Sequence, residues 1–283
     1  MPAKPDPVRI ALQILVYVVL YLAAAWVCGP LANWLGGYLV GITTTGLVAA
    51  SLTNGLSLRI FEGLRLPDAG LAWNRTSMWN LGLGAAGGAG SAMVVLCGPL
   101  ALRAAHFVPV PEGGASVNAY WFLPLLLLAG AAGEELLFRG YGFQVLLRTL
   151  GAWATIVPVG LVFAALHAGN PNANWLALAN TAGFGILFGY AFLRSHDLWL
   201  PIGLHFGWNV TLPLFGVNVS GITMRLTGYS LEWSAGKLWS GGDYGPEASL
   251  LTAGVLGLLF MYLYRAPIRR QSSRLLDPPA EGV

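Results

Sequence analysis

The stretch Gly133, Glu134, Glu135, Leu136, Leu137, Phe138, Arg139, Gly140 sets three ionisable side chains inside an apolar segment. A charge at the centre of a membrane helix costs about 2.5 to 3.5 kcal/mol on insertion scales, so such groups face protein or a wet cavity and have partners. Helical spacing divides their roles. Glu135 and Arg139 stand four apart, carboxylate before cation, which is the favoured order for a pair along one helix face; their role is structural. Glu134 is turned about 100° away from Glu135 around the axis and is free to address something else. Two other apolar stretches carry polar groups near or within them: Phe163, Ala164, Ala165, Leu166, His167, and His205, Phe206, Gly207, Trp208, Asn209. Carboxylate and imidazole exchange protons, and imidazole and amide donate hydrogen bonds. Glu134, His167, His205 and Asn209 are therefore the residues that could do chemistry together.

The elements that hold them must bring them to one depth. At a rise of about 1.5 Å per residue, Glu134 lies roughly 21 Å in from Arg148, His167 roughly 24 Å in from Gly151, and His205 and Asn209 roughly 16 and 22 Å in from Arg194. A single intramembrane His or Asn is usually a hydrogen-bonded packing residue; four at matching depth are harder to explain that way. His106 and His196 sit beside charged connections and read as solvated surface residues without a role.

Composition fixes the solvent. The 283 residues are 56% hydrophobic and 10% charged, against about 25% charged in an average soluble domain. Charge-poor segments near Ile10–Val27, Tyr38–Leu58, Trp79–Leu102, Tyr120–Leu147, Ala152–Leu166, Trp175–Leu193, Leu198–Phe215 and Leu250–Tyr264 are of membrane-spanning character. The fold class is thus all-α, a polytopic membrane bundle of about eight transmembrane helices in a single membrane domain over 1–283. The first stretch exceeds the apolar core of a secretory signal and reads as a retained span. Lys4, Arg9, Arg59, Arg65, Arg75, Arg148, Arg194, Arg265, Arg269, Arg270 and Arg274 fall on one side, and Arg103, Arg225 and Lys237 on the other. The positive-inside rule then places both termini, and the basic tail 265–283, in the cytoplasm, with 217–248 as a non-cytoplasmic loop. That loop reads as a lid over the bundle or as an ordinary long connection. Gly84 with Gly88, and Gly185 with Gly189, have the spacing of close helix contacts. Cys28 and Cys97 read as small apolar packing residues. A net charge of +3 without a broad basic surface excludes nucleic acid as a partner.

Taken together, these motifs resemble the CPBP or Abi membrane proteases, the family that includes the type II CAAX prenyl endopeptidases. The family's two glutamates followed by an arginine match Glu134, Glu135 and Arg139; its Phe four before a His matches Phe163 and His167; its His four before an Asn matches His205 and Asn209, approached through Leu198, Trp199, Leu200, Pro201. The resemblance covers about Trp121 to Pro213, within a core of about 120–215, with no departure at a motif position. It implies an intramembrane endopeptidase of the cell membrane, free of metal and cofactor, that acts on a membrane-associated peptide or protein, lipidated or not. Glu134 and His167 would activate a water, His205 and Asn209 would bind the oxyanion, and Glu135 with Arg139 would hold the helix. A base and aimed donors are what peptide hydrolysis in a water-poor cavity requires.

Two other readings stand beside it. Glu134, His167 and His205 also make a two-His, one-carboxylate set of zinc-ligand types, although no His-Glu-x-x-His helix occurs. A non-catalytic transporter, immunity factor or scaffold would use the same cluster to bind an ion or a partner helix.

Overall fold

Gly37 departs from helical geometry at φ 71° inside an otherwise continuous helix α1 (Pro7–Glu62), and the chain doubles back there. A Cβ on Gly41 would come within 2.8 Å of the Asn33 Cα, Gly29 faces Thr45, and the Asn54 amide reaches the Tyr17 hydroxyl. The first two apolar stretches are therefore the two arms of one helical hairpin. The structure, a computed structural model, describes residues 6–110, 117–224 and 226–277. Lys4, Arg225 and the end of the basic tail, 278–283, lie outside the described residues.

The remaining apolar stretches are helical as well: α2 (Arg75–Ala101), α3 (Val117–Arg139), α4 (Tyr141–Leu150), α5 (Ala152–Leu166), α6 (Trp175–Ser195), α7 (Trp199–Leu214) and, after the short α8 (Lys237–Ser240), α9 (Leu250–Arg265). Among the described residues, five helical segments are long and apolar enough to cross a membrane, including Tyr120–Leu150 with its break and the hairpin α1. Apolar side chains point outward, with Trp26, Trp34 and Leu102 about 80% exposed, while Asn54, Asn80, Glu135, Arg139 and Asp197 are buried. That inversion of the soluble pattern is what a hydrocarbon solvent selects. The fold is an all-α polytopic membrane bundle.

The fourth span is interrupted, contrary to the single helix expected over 120–147. The Tyr141 amide donates to the Asn54 Oδ1 at 2.6 Å instead of continuing the helix ladder. The Leu136 carbonyl accepts from Asn54 at 2.9 Å and the Leu137 carbonyl from Tyr17 at 2.9 Å. Inserted side chains are a recognised cause of helix kinks, and buried backbone groups left over must find partners. Gly140 is required at this point because a Cβ there would collide with the Asn54 side chain.

Glycines also set the tightest helix pair. A Cβ on Gly84 or Gly88 of α2 would strike the backbone of Leu200 or Leu204, and one on Gly203 or Gly207 of α7 would strike that of Leu81 or Ala85. In the same way Gly160 of α5 meets Gly185 of α6, with 2.8 Å between a Cβ on Gly185 and the Gly160 Cα. Such close approach gives membrane helices their dispersion contacts.

Ion pairs gather the charged connections at one end of the bundle: Arg148 with Glu62 at 2.6 Å, Arg274 with Asp68 at 3.7 Å and Arg270 with Asp277 at 3.4 Å. The segment after α9 is threaded through this end. Gln271 donates to Asp197 at 3.0 Å and to Ser77 at 2.6 Å, and Asn80 donates to Asp197 at 2.8 Å and to the Arg269 carbonyl at 2.7 Å. Asp197 in turn accepts the Trp199 amide at 2.7 Å, fixing the start of α7. Burial pushes the Asp197 carboxyl up from its ordinary range, and these three donors oppose the push. His196 belongs to the same seat. It is 6% exposed and its Nδ1 lies 3.1 Å from Asp277, which corrects the surface placement expected of it. The segment that covers it is remote in sequence. His106, in contrast, is exposed on a strand.

At the other end, β1 (Ala105–Pro109) pairs antiparallel with β2 (Tyr229–Trp233), Phe107 opposite Leu231. This small sheet ties the α2–α3 connection to the 217–248 segment. Cys28 and Cys97 are half-buried free thiols.

Candidate functional site

Glu135 is fully buried and accepts from two directions. Arg139, also fully buried, lies 3.1 Å away along α3, and the Nδ1 of His205 on α7 lies 2.9 Å away. Arg139 completes its fixation by donating to the Gly185 carbonyl of α6 at 2.7 Å. Its guanidinium also stands 5.1 to 5.7 Å from the ring centres of Phe138, Phe163 and Phe188, within cation–π range. The ion pair expected along one helix is thus the hub of three helices, and it sets the orientation of His205. Sequence spacing shows the partner four residues away and not the one on another helix.

His205 is further held by the Phe188 ring, stacked on it at 4.9 Å. Its Nε2 points to the Glu134 Oε2, 3.9 Å away. His167, at the end of α5, has Nδ1 2.8 Å from the Phe163 carbonyl, an acceptor, so Nδ1 carries the proton and Nε2 presents its lone pair. That Nε2 lies 4.0 Å from the same Glu134 oxygen. Phe163, four residues earlier, supplies the carbonyl and packs its ring against His167 at 4.6 Å. Gly133, just before Glu134, lets the second arm of α1 close in, since a Cβ there would sit 2.7 Å from the Leu47 nitrogen.

Glu134 has a divided environment. Its side chain is 42% exposed, yet Oε2 is buried and has no hydrogen-bond partner among the described residues. The two imidazole nitrogens are too far for direct hydrogen bonds and close enough to share an intervening water. Asn209 lines the same cavity as His167 and His205. The structure therefore brings together all four residues singled out from sequence. The cavity has a volume of about 20 Å³, and one water needs about 10–15 Å³. Among the described residues, no group of three or more His, Cys, Asp or Glu side chains is arranged to hold a metal ion.

Residues 116–211 match the family of type II CAAX prenyl endopeptidases, Rce1-like. The Rce1-like segment spans about a third of the chain and contains all seven motif residues. The matched segment is similar to that family, and the apolar helices around it make the chain an integral membrane protein. No curated protein matches the chain.

Among the contributors to the cavity that were not visible in the sequence, two come from beyond α7. Ser220 and Glu247 both line it, from the 217–248 segment and outside the Rce1-like match. Glu247 is 7% exposed and belongs to a one-turn 3-10 helix, Pro246–Ala248. In sequence it stands among Gly, Asp and Ser residues that read as a solvated connection; its only signal is a carboxylate just ahead of an apolar helix.

Proposed function

We propose that this chain is an intramembrane endopeptidase that hydrolyses a peptide bond of a membrane-associated substrate with a water activated by Glu134. The observation that carries the reading is the inward-facing, unpartnered Glu134 oxygen set about 4 Å from two imidazole nitrogens. A water about 2.8 Å from each of these atoms donates one hydrogen to Glu134 and the other to the His167 Nε2. As the water oxygen bonds to the substrate carbonyl carbon, its proton passes to Glu134 and the carbonyl oxygen becomes an oxyanion. His205 and Asn209 donate to that oxyanion. With Nδ1–H held by Glu135, His205 donates from Nε2 as an imidazolium, and a charged donor makes the stronger bond. When the C–N bond breaks, the proton on Glu134 goes to the leaving amine. Oxyanion donors of this type contribute about 2.7 to 4 kcal/mol each.

By the positive-inside rule the end that carries the ion pairs faces the cytoplasm, with both termini there, and the 217–248 segment faces away. The family match supports a membrane-associated protein as substrate.

The test is cleavage of a membrane-peptide library by the full chain in nanodiscs. The expected result is cleavage by the unaltered protein and none by Glu134→Ala or His167→Ala, both still accumulating in the membrane. Full activity of both variants would overturn the reading in favour of a non-catalytic role. Loss of activity with chelator and its return with zinc would replace the metal-free mechanism with a zinc-dependent one.

A further inference from the structure

The carboxylate of Glu247 stitches together parts of the chain that are far apart in sequence. Oε1 accepts the Trp208 indole N–H at 3.2 Å. Oε2 accepts the Ser220 backbone N–H and the Ser220 hydroxyl at 3.0 Å. The Glu247 carbonyl accepts the amide of Asn180 on α6 at 2.7 Å. Both carboxylate oxygens are met by N–H or O–H donors, the set that suits an ionised carboxylate. Burial pushes this carboxyl up, and the Ser220 donors and the Trp208 indole pull against it.

What the clamp holds is the outer wall of the cavity. Ser220 adopts the left-handed conformation at φ 49°, which a serine takes only when its surroundings enforce it. The following Gly221 is anchored by its N–H to the Tyr244 carbonyl at 2.8 Å. Trp208, 2% exposed, is seated against Phe184 with ring centres 4.8 Å apart, and it immediately precedes Asn209 on α7. A buried carboxylate is a costly way to pack a loop, since a well-fitted apolar side chain does it at least as well.

We propose that Glu247 is a positioning residue of the hydrolytic site, clamping the Trp208 indole and the Ser220 turn so that α7 presents His205 and Asn209 to the oxyanion in a fixed geometry. The assignment rests on the hydrolytic reading above. Glu247 acts through Trp208 and Ser220 and does not touch the reacting atoms.

The experiment uses the full chain in nanodiscs with a quenched fluorescent peptide that the unaltered protein cleaves. It measures kcat and KM for Glu247→Gln, Trp208→Phe, Ser220→Ala and the Glu247→Gln/Trp208→Phe double variant. Glu247→Gln keeps the shape and loses the charge, and a misplaced catalytic group costs on the order of a hundredfold. The expected result is therefore a kcat lower by roughly ten- to a hundredfold, KM within about twofold, and a double variant no slower than Glu247→Gln alone. Unchanged kcat, a rise in KM alone, or independent, multiplicative losses in the double variant would each overturn the assignment. If Glu247→Gln fails to accumulate, Trp208→Phe and Ser220→Ala decide by the same kcat criterion. Dependence on Glu134 with indifference to Glu247 overturns only this assignment, whereas a Glu134→Ala variant that still cleaves overturns the hydrolytic reading and this one with it.

Discussion

Replacing Glu135 by Gln separates the two adjacent glutamates. The substitution leaves the buried Arg139 without its anion while keeping the side-chain volume. Arg139 retains the Gly185 carbonyl and three phenyl rings, which are weaker partners for a full charge in a fully buried position. Breaking a buried pair from one side costs about 3 to 5 kcal/mol, and a chain of this size loses roughly 2 to 4 °C of melting temperature per kcal/mol, so the midpoint should fall by about 6 to 20 °C. Glu134→Gln presents the opposite case. Its side chain is 42% exposed and makes no direct hydrogen bond through Oε2, so its midpoint should stay within about 2 °C of the parent while cleavage falls by about 10²- to 10⁴-fold through loss of the base. Activity of the folded Glu135→Gln fraction falls too, because His205 loses its anionic partner. Thermal unfolding in nanodiscs, followed by intrinsic fluorescence, gives the first quantity, and peptide cleavage per folded molecule gives the second. Equal midpoints for the two variants, or a Glu135→Gln midpoint within about 2 °C of the parent, would refute the assignment of Arg139, Glu135 and His205 to one structural relay.

Asn54→Ala should lower stability by about 1 to 3 kcal/mol, since it orphans the Tyr141 amide and removes a donor from the Leu136 carbonyl; a melt matching the parent would show that the kink needs no stitch. Gly88→Leu should abolish the folded state by driving side-chain atoms into the Leu204 and Trp208 backbone, read as loss of monodisperse protein after detergent extraction. Burial first, and then Arg270, hold the His196 imidazole below its ordinary range, with Asp277 opposing. Because the folded state binds this proton less readily than the unfolded state, stability is complete above the ordinary imidazole range and declines as pH falls through and below it. The melting midpoint should therefore drop between pH 7.5 and 5.5, and His196→Asn, which tolerates the φ of 50°, should flatten that dependence.

Legibility in the sequence followed physical range. Hydropathy located the eight apolar stretches, because the bilayer acts on each helix separately; even the α1 hairpin at Gly37 was visible as two of them. Four-residue spacings revealed the Glu135–Arg139 pair and the shared face of His205 and Asn209 for the same local reason. The interruption at Gly140 was missed because its cause, Asn54, lies on another helix, and a glycine in a membrane helix carries no single meaning. His196 was misread because Ser195, His196 and Asp197 look like a surface turn until residues 266–277 fold over them. Glu247 was invisible because its partners, Trp208 and Ser220, meet it only in three dimensions.

The threading of residues 266–277 orders events in time. Asp197 sets the first turn of α7, yet one of its ligands, Gln271, is translated after α1 to α9. A nascent chain can thus insert α1 to α9 while the start of the His205 helix still lacks its hydrogen bond from Gln271. A chain cut before residue 266 would leave Asp197 without the Gln271 hydrogen bond at the start of the helix that carries His205.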